Sequence, residues 1–416
     1  MAARPVGPGT RERVFPPLDE ALGLLPGELS PRLVEGVARF GVKVPFAQAA
    51  EDMHFFWGVW ISEETVRRQT EAAGAAYVAV QAAELARLER ELPEPPKGPP
   101  IQQVSADGAM VPLVHGKWGE VKTLAVGTVT TVPGKDGPEV CTRDLTYFSR
   151  LTDAATFVRQ ARVELYQRGT QTADLVAVVG DGSVWIQAIP DTYRPDAVRI
   201  LDFPHAAEHL TEAAQASLGS QPLLFHTWLA EQLHALKHET PEPVLAALRL
   251  LPTEATPDPV AAADARDKTL GYLEARLDQM QYADFQQRGL PIGSGAMESA
   301  CKLVVEARLK GSGMHWEPDN VSPMVALRTV LCSKRWAEAW PKIQQELRRR
   351  AYAQRLARCQ KRRPQPEPIP AMAPSPKRKV HLASAHRRMR AATPPKIVNG
   401  RPTDDHPFRK SFKQTG

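Results

Sequence analysis

The sequence of 416 residues predicts an α/β protein in which helices cover a mixed β-sheet. Three observations support this fold class. Residues 101–149 contain three strand-like runs separated by tight turns, residues 151–218 alternate helical and strand-like patterns, and residues 222–290 contain helical patterns only. We therefore expect a sheet-containing core that is interrupted by an all-helical insertion.

Composition restricts the class of protein. Hydrophobic residues make up 43% and charged residues 24%, as in globular proteins, which excludes wholesale disorder and a membrane bundle. No apolar run approaches the roughly 18 residues of a spanning helix, and no signal-peptide core is present near Met1, so we expect a cytoplasmic protein without a membrane partner. The four widely spaced cysteines argue against a disulfide framework or a Cys-based zinc site: Cys141, Cys301, Cys332 and Cys359.

Charge is distributed unevenly along the chain. Residues 341–416 contain 20 Lys and Arg against 4 Asp and Glu, whereas the whole chain has a net charge of only +6, so the first 340 residues are net acidic. A basic segment attached to an acidic body is typical of proteins that contact nucleic acid or another polyanion. The alternative interpretation is a solvated tail.

The N-terminal part of the chain is predicted to be helical. Residues 1–29 are rich in Pro and Gly and are expected to be flexible, and residues 30–92 contain three helical patterns. Ser62 is placed to cap the third helix, and Arg67 and Arg68 lie near its start. This arrangement resembles a helix-turn-helix DNA-binding region, although any small helical bundle would share it.

The sheet-containing core is predicted to begin after a proline-rich linker at 93–100. Residues 101–215 read as three antiparallel strands followed by helix, strand, strand and helix, an order found in the ribonuclease H-like fold. An all-helical insertion at 216–290 separates this part from the last part of the core at 291–340. Residues 341–416 are predicted to form a basic helix and a flexible basic tail.

Three acidic residues are candidates for metal-dependent chemistry. Asp107 lies within an apolar strand pattern, and Asp181 ends another strand between two glycines. Glu298 follows a glycine-containing loop at the start of a helix. Two strand carboxylates and one helix carboxylate can hold two divalent cations that clamp a phosphodiester. Turn aspartates and a helical ion pair from Glu298 to Lys302 are the simpler alternatives.

Four strings carry a resemblance to a known family: VVGDGSVWI, LDFPHAAEHL, PIGSGAMESACKLVVEARLKGSGMHW and HPFRKSF. They resemble ISKra-type insertion-sequence transposases, which are relatives of the Mutator-like DDE transposases. The resemblance implies a ribonuclease H-like catalytic domain with a helical insertion, and two Mg²⁺ or Mn²⁺ ions per active site. By motif position, it places the catalytic and metal-binding triad on Asp107, Asp181 and Glu298.

The resemblance also implies roles for residues around the triad. Asp202 and His205 match a D-x-x-H motif that shapes the site and contacts DNA, and Asp202 is the second choice for the second catalytic acid. A strand-end aspartate and a helix-capping histidine are the simpler interpretation. Lys302 is assigned to positioning, and DNA binding is assigned to Arg67, Arg68, Arg308 and Lys310.

The implied partners are double-stranded DNA, both as terminal inverted repeats and as target, and further copies of the chain assembled on that DNA. We expect the protein to be associated with the nucleoid. The family pattern leads us to expect a longer N-terminal region with paired cysteines, so this chain is expected to lack part of its DNA-end recognition.

Two other functions are compatible with parts of the sequence. The string HAAEH fits the H-x-x-E-H pattern of zinc peptidases, with His205 and His209 as ligands and Glu208 as base. That interpretation leaves Asp107 and Glu298 without a role. A catalytically inactive DNA-binding protein derived from a transposase is the other alternative.

Overall fold

One five-stranded sheet forms the centre of the chain. The computed structural model describes residues 29–134, 137–254, 256–362, 397–398 and 401–402. The strands of this sheet are β1 (Ile101–Pro112), β2 (Trp118–Gly134), β3 (Gly137–Leu151), β4 (Leu175–Gly180) and β5 (Val198–Leu201). Their order is β3-β2-β1-β4-β5; β2 pairs antiparallel with β3 and β1, and β4 pairs parallel with β1 and β5. The mixed sheet confirms the predicted α/β fold class.

Helices precede the sheet, cross between its strands and follow it. Before the sheet lie α1 (Pro31–Gly41), α2 (Phe46–Trp57) and α3 (Glu63–Glu91). Between and after the strands lie α4 (Ala154–Gln167), α5 (Val184–Tyr193), α6 (Phe203–Leu218), α7 (Pro222–His238), α8 (Glu242–Arg249), α9 (Pro259–Glu274), α10 (Tyr282–Gln287), α11 (Gly295–Ala300), α12 (Pro318–Cys332) and α13 (Trp336–Arg362). A π-helical segment (Cys301–Glu306) and a final α-helical turn (Ala307–Leu309) continue α11.

Helices bury both faces of the sheet. On one face, Phe157 of α4 and Ile186 of α5 pack against sheet residues that include Phe148. On the other face, α6 and α7 cover β4 and β5, and α11 and α12 cover β1 and β2. Truncating a buried aromatic such as Phe157 to Ala would cost about 3–5 kcal/mol, because the surrounding side chains could fill the cavity only partly.

The structure differs from two local predictions, one between β4 and β5 and one in the helical insertion. Helix α5 lies between β4 and β5, where no helix was predicted, and it contains Pro190, a residue that disfavours a helix interior. The helical pattern from 259 to 287, which favours one long helix, instead forms α9, a 3₁₀ turn (Leu277–Gln279) and α10. Tyr272 near the end of α9 contacts Asp181 in the loop that follows β4.

The N-terminal helices pack on the last helices of the core. The cap predicted at Ser62 is present, since Ser62 accepts a hydrogen bond from the Thr65 amide at 3.2 Å, and Ser30 caps α1 in the same way by accepting one from the Leu33 amide at 3.3 Å. Helix α3 packs along α12, where a Cβ on Gly74 would meet the Pro323 carbonyl oxygen at 2.3 Å. Only glycine permits this close approach.

Contacts divide the chain into one compact unit up to Gln360 and a second from Lys361 onward. The second unit includes a two-residue β-ladder between Ile397–Val398 and Arg401–Pro402. The predicted flexible segment 1–29 lies outside the described residues except for its last residue, and most of the predicted basic tail beyond 362 also lies outside them. In the described part of the chain, no helix is both long and apolar enough to cross a membrane.

Candidate active site

Asp107 on β1 and Asp181, the residue that follows β4, lie near each other at neighbouring parallel strands. The pairing of β1 with β4 aligns Ser105 with Val179, and each aspartate comes two residues after its member of this pair. Strand alternation places the Asp107 side chain on the sheet face that α11 covers. The two carboxylates predicted from separate motifs are therefore brought together by strand register.

The Asp107 carboxylate is held in an unfavourable environment for its charge. Desolvation raises the pKa of Asp107, and the negative charge of Asp181 raises it further, while a 2.6 Å hydrogen bond from the Gly108 amide acts in the opposite direction. The residue nevertheless keeps access to solvent. Among the described residues, no basic side chain forms an ion pair with Asp107 or Asp181.

A cysteine on α11 contacts the first carboxylate. The Sγ of Cys301 lies 3.8 Å from Oδ2 of Asp107, and burial, with the nearby carboxylate, raises the pKa of this thiol to about 12. Cys301 is therefore protonated at neutral pH and donates a weak hydrogen bond. The contact also fixes where the helix carrying Glu298 meets β1.

Glu298 lies on this helix, but among the described residues no contact joins its side chain to either aspartate. Its side chain is 69% exposed and forms an ion pair with Lys302, which lowers the pKa of Glu298. It precedes Cys301 by three residues, so it lies about one helical turn from the Asp107 contact. Within the described residues, no three His, Cys, Asp or Glu side chains converge closely enough to hold one metal ion. Of the predicted triad, Asp107 and Asp181 thus lie near each other, and Glu298 does not join them.

Asp202 ties β5 to the start of α11. It follows Leu201, which pairs with Gly180 in β4. Asp202 and Asp181 are therefore the next residues after a directly paired pair on the two strands. Its Oδ1 accepts a 2.8 Å hydrogen bond from the Ser294 amide, and its Oδ2 accepts a 2.5 Å bond from the Ser294 hydroxyl. Burial raises the pKa of Asp202 even though these hydrogen bonds oppose the shift. The geometry makes Asp202 a positioning residue for the loop that precedes Glu298.

The helical insertion contributes two residues that the sequence did not single out. The Tyr272 hydroxyl donates a hydrogen bond to the main-chain carbonyl of Asp181, and Arg276 donates to the carbonyl of Gly182 at 3.1 Å. The Arg276 guanidinium lies 3.9 Å from the Tyr272 ring centroid, and burial raises the pKa of Tyr272 to about 12. A side chain on Gly182, which has φ of 73°, would collide with Arg276. Tyr272 and Arg276 therefore clamp the loop that carries Asp181.

His205 and His209 lie next to this clamp. Their rings are 4.9 Å apart on α6, and the ring of His209 lies 4.1 Å from that of Tyr272. Burial lowers the pKa of His209, whereas Glu208 is largely exposed and lies 3.5 Å from Nδ1 of His205. The two histidines share a face as the H-x-x-E-H spacing requires, but His209 is engaged in ring packing.

The prediction that Arg308 contacts DNA is wrong, because its side chain is buried. This side chain is only 2% exposed, its Nε donates to the Gly41 carbonyl at 3.1 Å, and its guanidinium lies over the rings of Phe46 and Trp316. Burial lowers the pKa of Arg308 to about 10. Arg308 joins the N-terminal helices to the core.

The other predicted DNA-binding residues are accessible. Arg67 is bound to Glu64 at 2.7 Å and to Glu71 at 3.1 Å, whereas Arg68 is exposed on the same helix. Lys310 forms a 2.6 Å ion pair with a glutamate one turn earlier. Their roles in DNA binding remain predictions.

No protein-family model and no curated protein matches this chain. The interpretation of the site therefore depends on its own geometry.

Proposed function

We propose that this chain is a DDE transposase of an insertion sequence, which cleaves transposon-end DNA and joins the released 3′-OH to target DNA. The proposal includes a ribonuclease H-like core. It is supported by the order of elements, in which three antiparallel strands are followed by α4, β4, α5 and β5. The helical region from α7 to α10 separates this part of the core from α11, as the resemblance implied.

The observation that carries the proposal is the pairing of Asp107 with Asp181. The two carboxylates are separated by 74 positions in the sequence, yet each lies two residues after one member of the Ser105–Val179 pair that joins β1 to β4. The pKa of Asp107 is raised by desolvation and by the Asp181 charge, so the pair lacks a compensating cation. A protein gains little from such an arrangement unless a cation or a proton enters it.

The chemistry of these donors fits Mg²⁺ or Mn²⁺. Both are hard cations that prefer carboxylate oxygens, and Asp107 and Asp181 would hold them. Glu298 would become the third ligand after its side chain leaves Lys302. A bound divalent cation supplies charge stabilisation for the attacking and leaving oxygens of a phosphodiester.

The chain's own residues then have separable roles. Tyr272 and Arg276 hold the loop of Asp181, and Asp202 holds the loop before Glu298 through Ser294. These contacts hold the Asp181 loop and the loop before Glu298 before DNA binds, whereas the Glu298 side chain has still to leave Lys302. Charge that is already in place, as at Asp181, needs no rearrangement at the moment of reaction.

The proposed partner is double-stranded DNA, with further copies of the chain assembled on it near the nucleoid. The strongly basic composition of residues 341–416 supports a phosphate contact. A catalytically inactive derivative would have no need to keep two neighbouring carboxylates without a cation, so the site favours the active enzyme.

The test is cleavage of candidate end DNA. Inverted repeats in the nucleotide sequence that flanks the gene supply the substrate, as a labelled duplex carrying one repeat and its flank. We expect strand cleavage at the repeat boundary in Mg²⁺, no cleavage in EDTA, and no cleavage by Asp107→Asn. Equal cleavage by wild type and Asp107→Asn would refute the proposed site.

A further inference from the structure

Four large aromatic side chains form an exposed patch at the end of α2 and in the loop before α3. This aromatic patch consists of Phe55, Phe56, Trp57 and Trp60. Phe55 is 80% exposed and Trp60 is 83% exposed. Isolated exposed apolar residues are common on proteins, but a contiguous aromatic group usually marks a binding surface.

Packing among the rings holds the patch in a defined arrangement. Phe56 stacks on Phe40 with ring centroids 6.4 Å apart and planes at 10°, and Phe55 contacts Phe56 edge-on at 4.9 Å. Trp60 stacks on His54 at 3.5 Å. Phe55 and Trp60 therefore each contact one neighbouring ring and remain largely exposed.

A cavity of about 270 Å³ adjoins the patch and is basic. Trp57 and Phe40 line it together with Arg32, Arg39 and Lys43, and its one acid is Glu35. Both oxygens of Glu35 are already used. One accepts a 3.1 Å bond from Arg32, and the other accepts a 3.1 Å bond from the buried indole of Trp336.

Charge complementarity selects among possible occupants. A second copy of the chain that docked with the same patch would set these cations against each other. A purely apolar protein surface would offer Arg39 and Lys43 no charged partner. A chain of phosphates with unpaired bases satisfies both features, because bases stack on aromatic rings while phosphates meet cations.

Two acids on α2 restrict the path of such a ligand. Glu51 and Asp52 lie one helical turn before Phe55 and Phe56 on α2. Their charges would repel phosphates on that side. The phosphates would therefore follow the side of the patch that carries Arg32, Arg39 and Lys43.

We propose that the aromatic patch and the adjoining cations form a binding site for unpaired nucleotides of single-stranded DNA. The choice of DNA over RNA rests on the proposed function, in which strand cleavage exposes unpaired ends. The site shares no residue with the carboxylate centre, so its binding can be measured without catalysis.

The experiment measures binding of a labelled oligothymidine of about 12 nucleotides in EDTA by fluorescence anisotropy. The test variant is Phe55→Ala with Trp60→Ala. Its matched control is Trp118→Ala, since Trp118 is also largely exposed, at 61%, but lies on β2. We expect the double variant to bind about tenfold more weakly or worse, and the control to bind as wild type.

A second variant tests the cations. Lys43→Gln should reduce the slope of log Kd against log salt by about 0.7, because one phosphate contact is lost. Lys268→Gln, which changes an exposed lysine on α9, should leave the slope unchanged.

Unchanged affinity of both the aromatic variant and Lys43→Gln would overturn the proposal. A shift of oligomeric state in the aromatic variant at unchanged affinity would assign the patch to a second copy, and a lower Tm at unchanged affinity would assign it to another segment of this chain. Failure of the transposase proposal would appear separately, as loss of duplex cleavage with oligothymidine binding intact.

Discussion

The hydroxyl of Tyr272, at the end of α9, donates a hydrogen bond to the main-chain carbonyl of Asp181, at the end of β4. The two residues are 91 positions apart, and the second hydrogen bond of this clamp runs from Arg276 to Gly182. The helical insertion is therefore joined directly to the loop of a candidate catalytic carboxylate. We infer that one function of the insertion is to hold that loop in place.

The first prediction concerns this hydrogen bond. Tyr272→Phe removes only the hydroxyl, so the Asp181 loop should lose its anchor and cleavage of end DNA should fall about tenfold, or about 1.4 kcal/mol in barrier. The matched control is Tyr193→Phe, which removes a 2.9 Å bond to the Val158 carbonyl away from the acids. Each change should cost about 1 kcal/mol in the free energy of unfolding. Equal cleavage by the two variants would show that the clamp has no role in the reaction.

The second prediction separates a catalytic role for Glu298 from a structural one. Glu298 and Glu306 each pair with a lysine four residues later on the same helical run. Glu298→Gln should reduce cleavage by at least about 100-fold, or about 2.7 kcal/mol in barrier, whereas Glu306→Gln should retain it. Gel assays of strand cleavage measure both. Similar activity of the two variants would remove Glu298 from the site.

The third prediction concerns stabilisation by metal. Mg²⁺ at about 100 times its Kd should raise the free energy of unfolding by about 2.7 kcal/mol, because only the folded carboxylate pair binds it. Thermal unfolding should show this rise for wild type and for the surface control Asp174→Asn. Asp107→Asn and Asp181→Asn should lose most of it. A full response in either variant would place the ion elsewhere.

The fourth prediction concerns pH. The folded pKa of Asp107 is raised, so the folded state binds more protons than the unfolded state between the ordinary aspartate pKa and the raised value. The contribution of Asp107 to the free energy of unfolding is therefore fully present below the ordinary aspartate pKa. It is lost as the pH rises from that value through the raised pKa. Asp107→Asn should be equal to wild type or more stable at neutral pH, by about 0.5 kcal/mol or less because the side chain reaches solvent. A lower Tm of this variant at pH 7 without metal would contradict the assigned direction.

Much of the sheet was predictable because its signals are local. Period-two alternation and turn residues predicted β1, β2 and β3, and continuous apolar runs predicted β4 and β5. The pairing of Asp107 with Asp181 followed once both strands were placed in one sheet. Helix α5 was missed because Pro190 carries a local signal that its tertiary packing overrides.

The rest of the site depends on contacts between distant segments. Nothing near Tyr272 or Ser294 in the sequence indicates that Asp181 and Asp202 lie beside them, because the turns of the insertion determine those approaches. The prediction that Arg308 binds DNA was wrong for a related reason. Arginines are usually exposed, and only the folded structure shows that Phe46 and Trp316 enclose this one.

The last prediction separates a nuclease from a zinc peptidase through residues that only one of them needs. In a peptidase, His209 is a metal ligand and Glu208 is the base. In the structure, the Glu208 side chain is 73% exposed and His209 packs against Tyr272, so neither is directed at Asp107. Glu208→Gln combined with His209→Gln should therefore keep Mg²⁺-dependent cleavage within roughly tenfold of wild type.

His205→Ala provides the comparison for this double variant. His205 lies close enough to Asp202 for its charge to lower the pKa of that carboxyl, so its loss should reduce cleavage more than the double change does. Metal analysis of the purified protein should find no stoichiometric zinc. One equivalent of zinc that disappears from the double variant together with activity would favour the peptidase instead, because those two side chains would then be holding and using the metal.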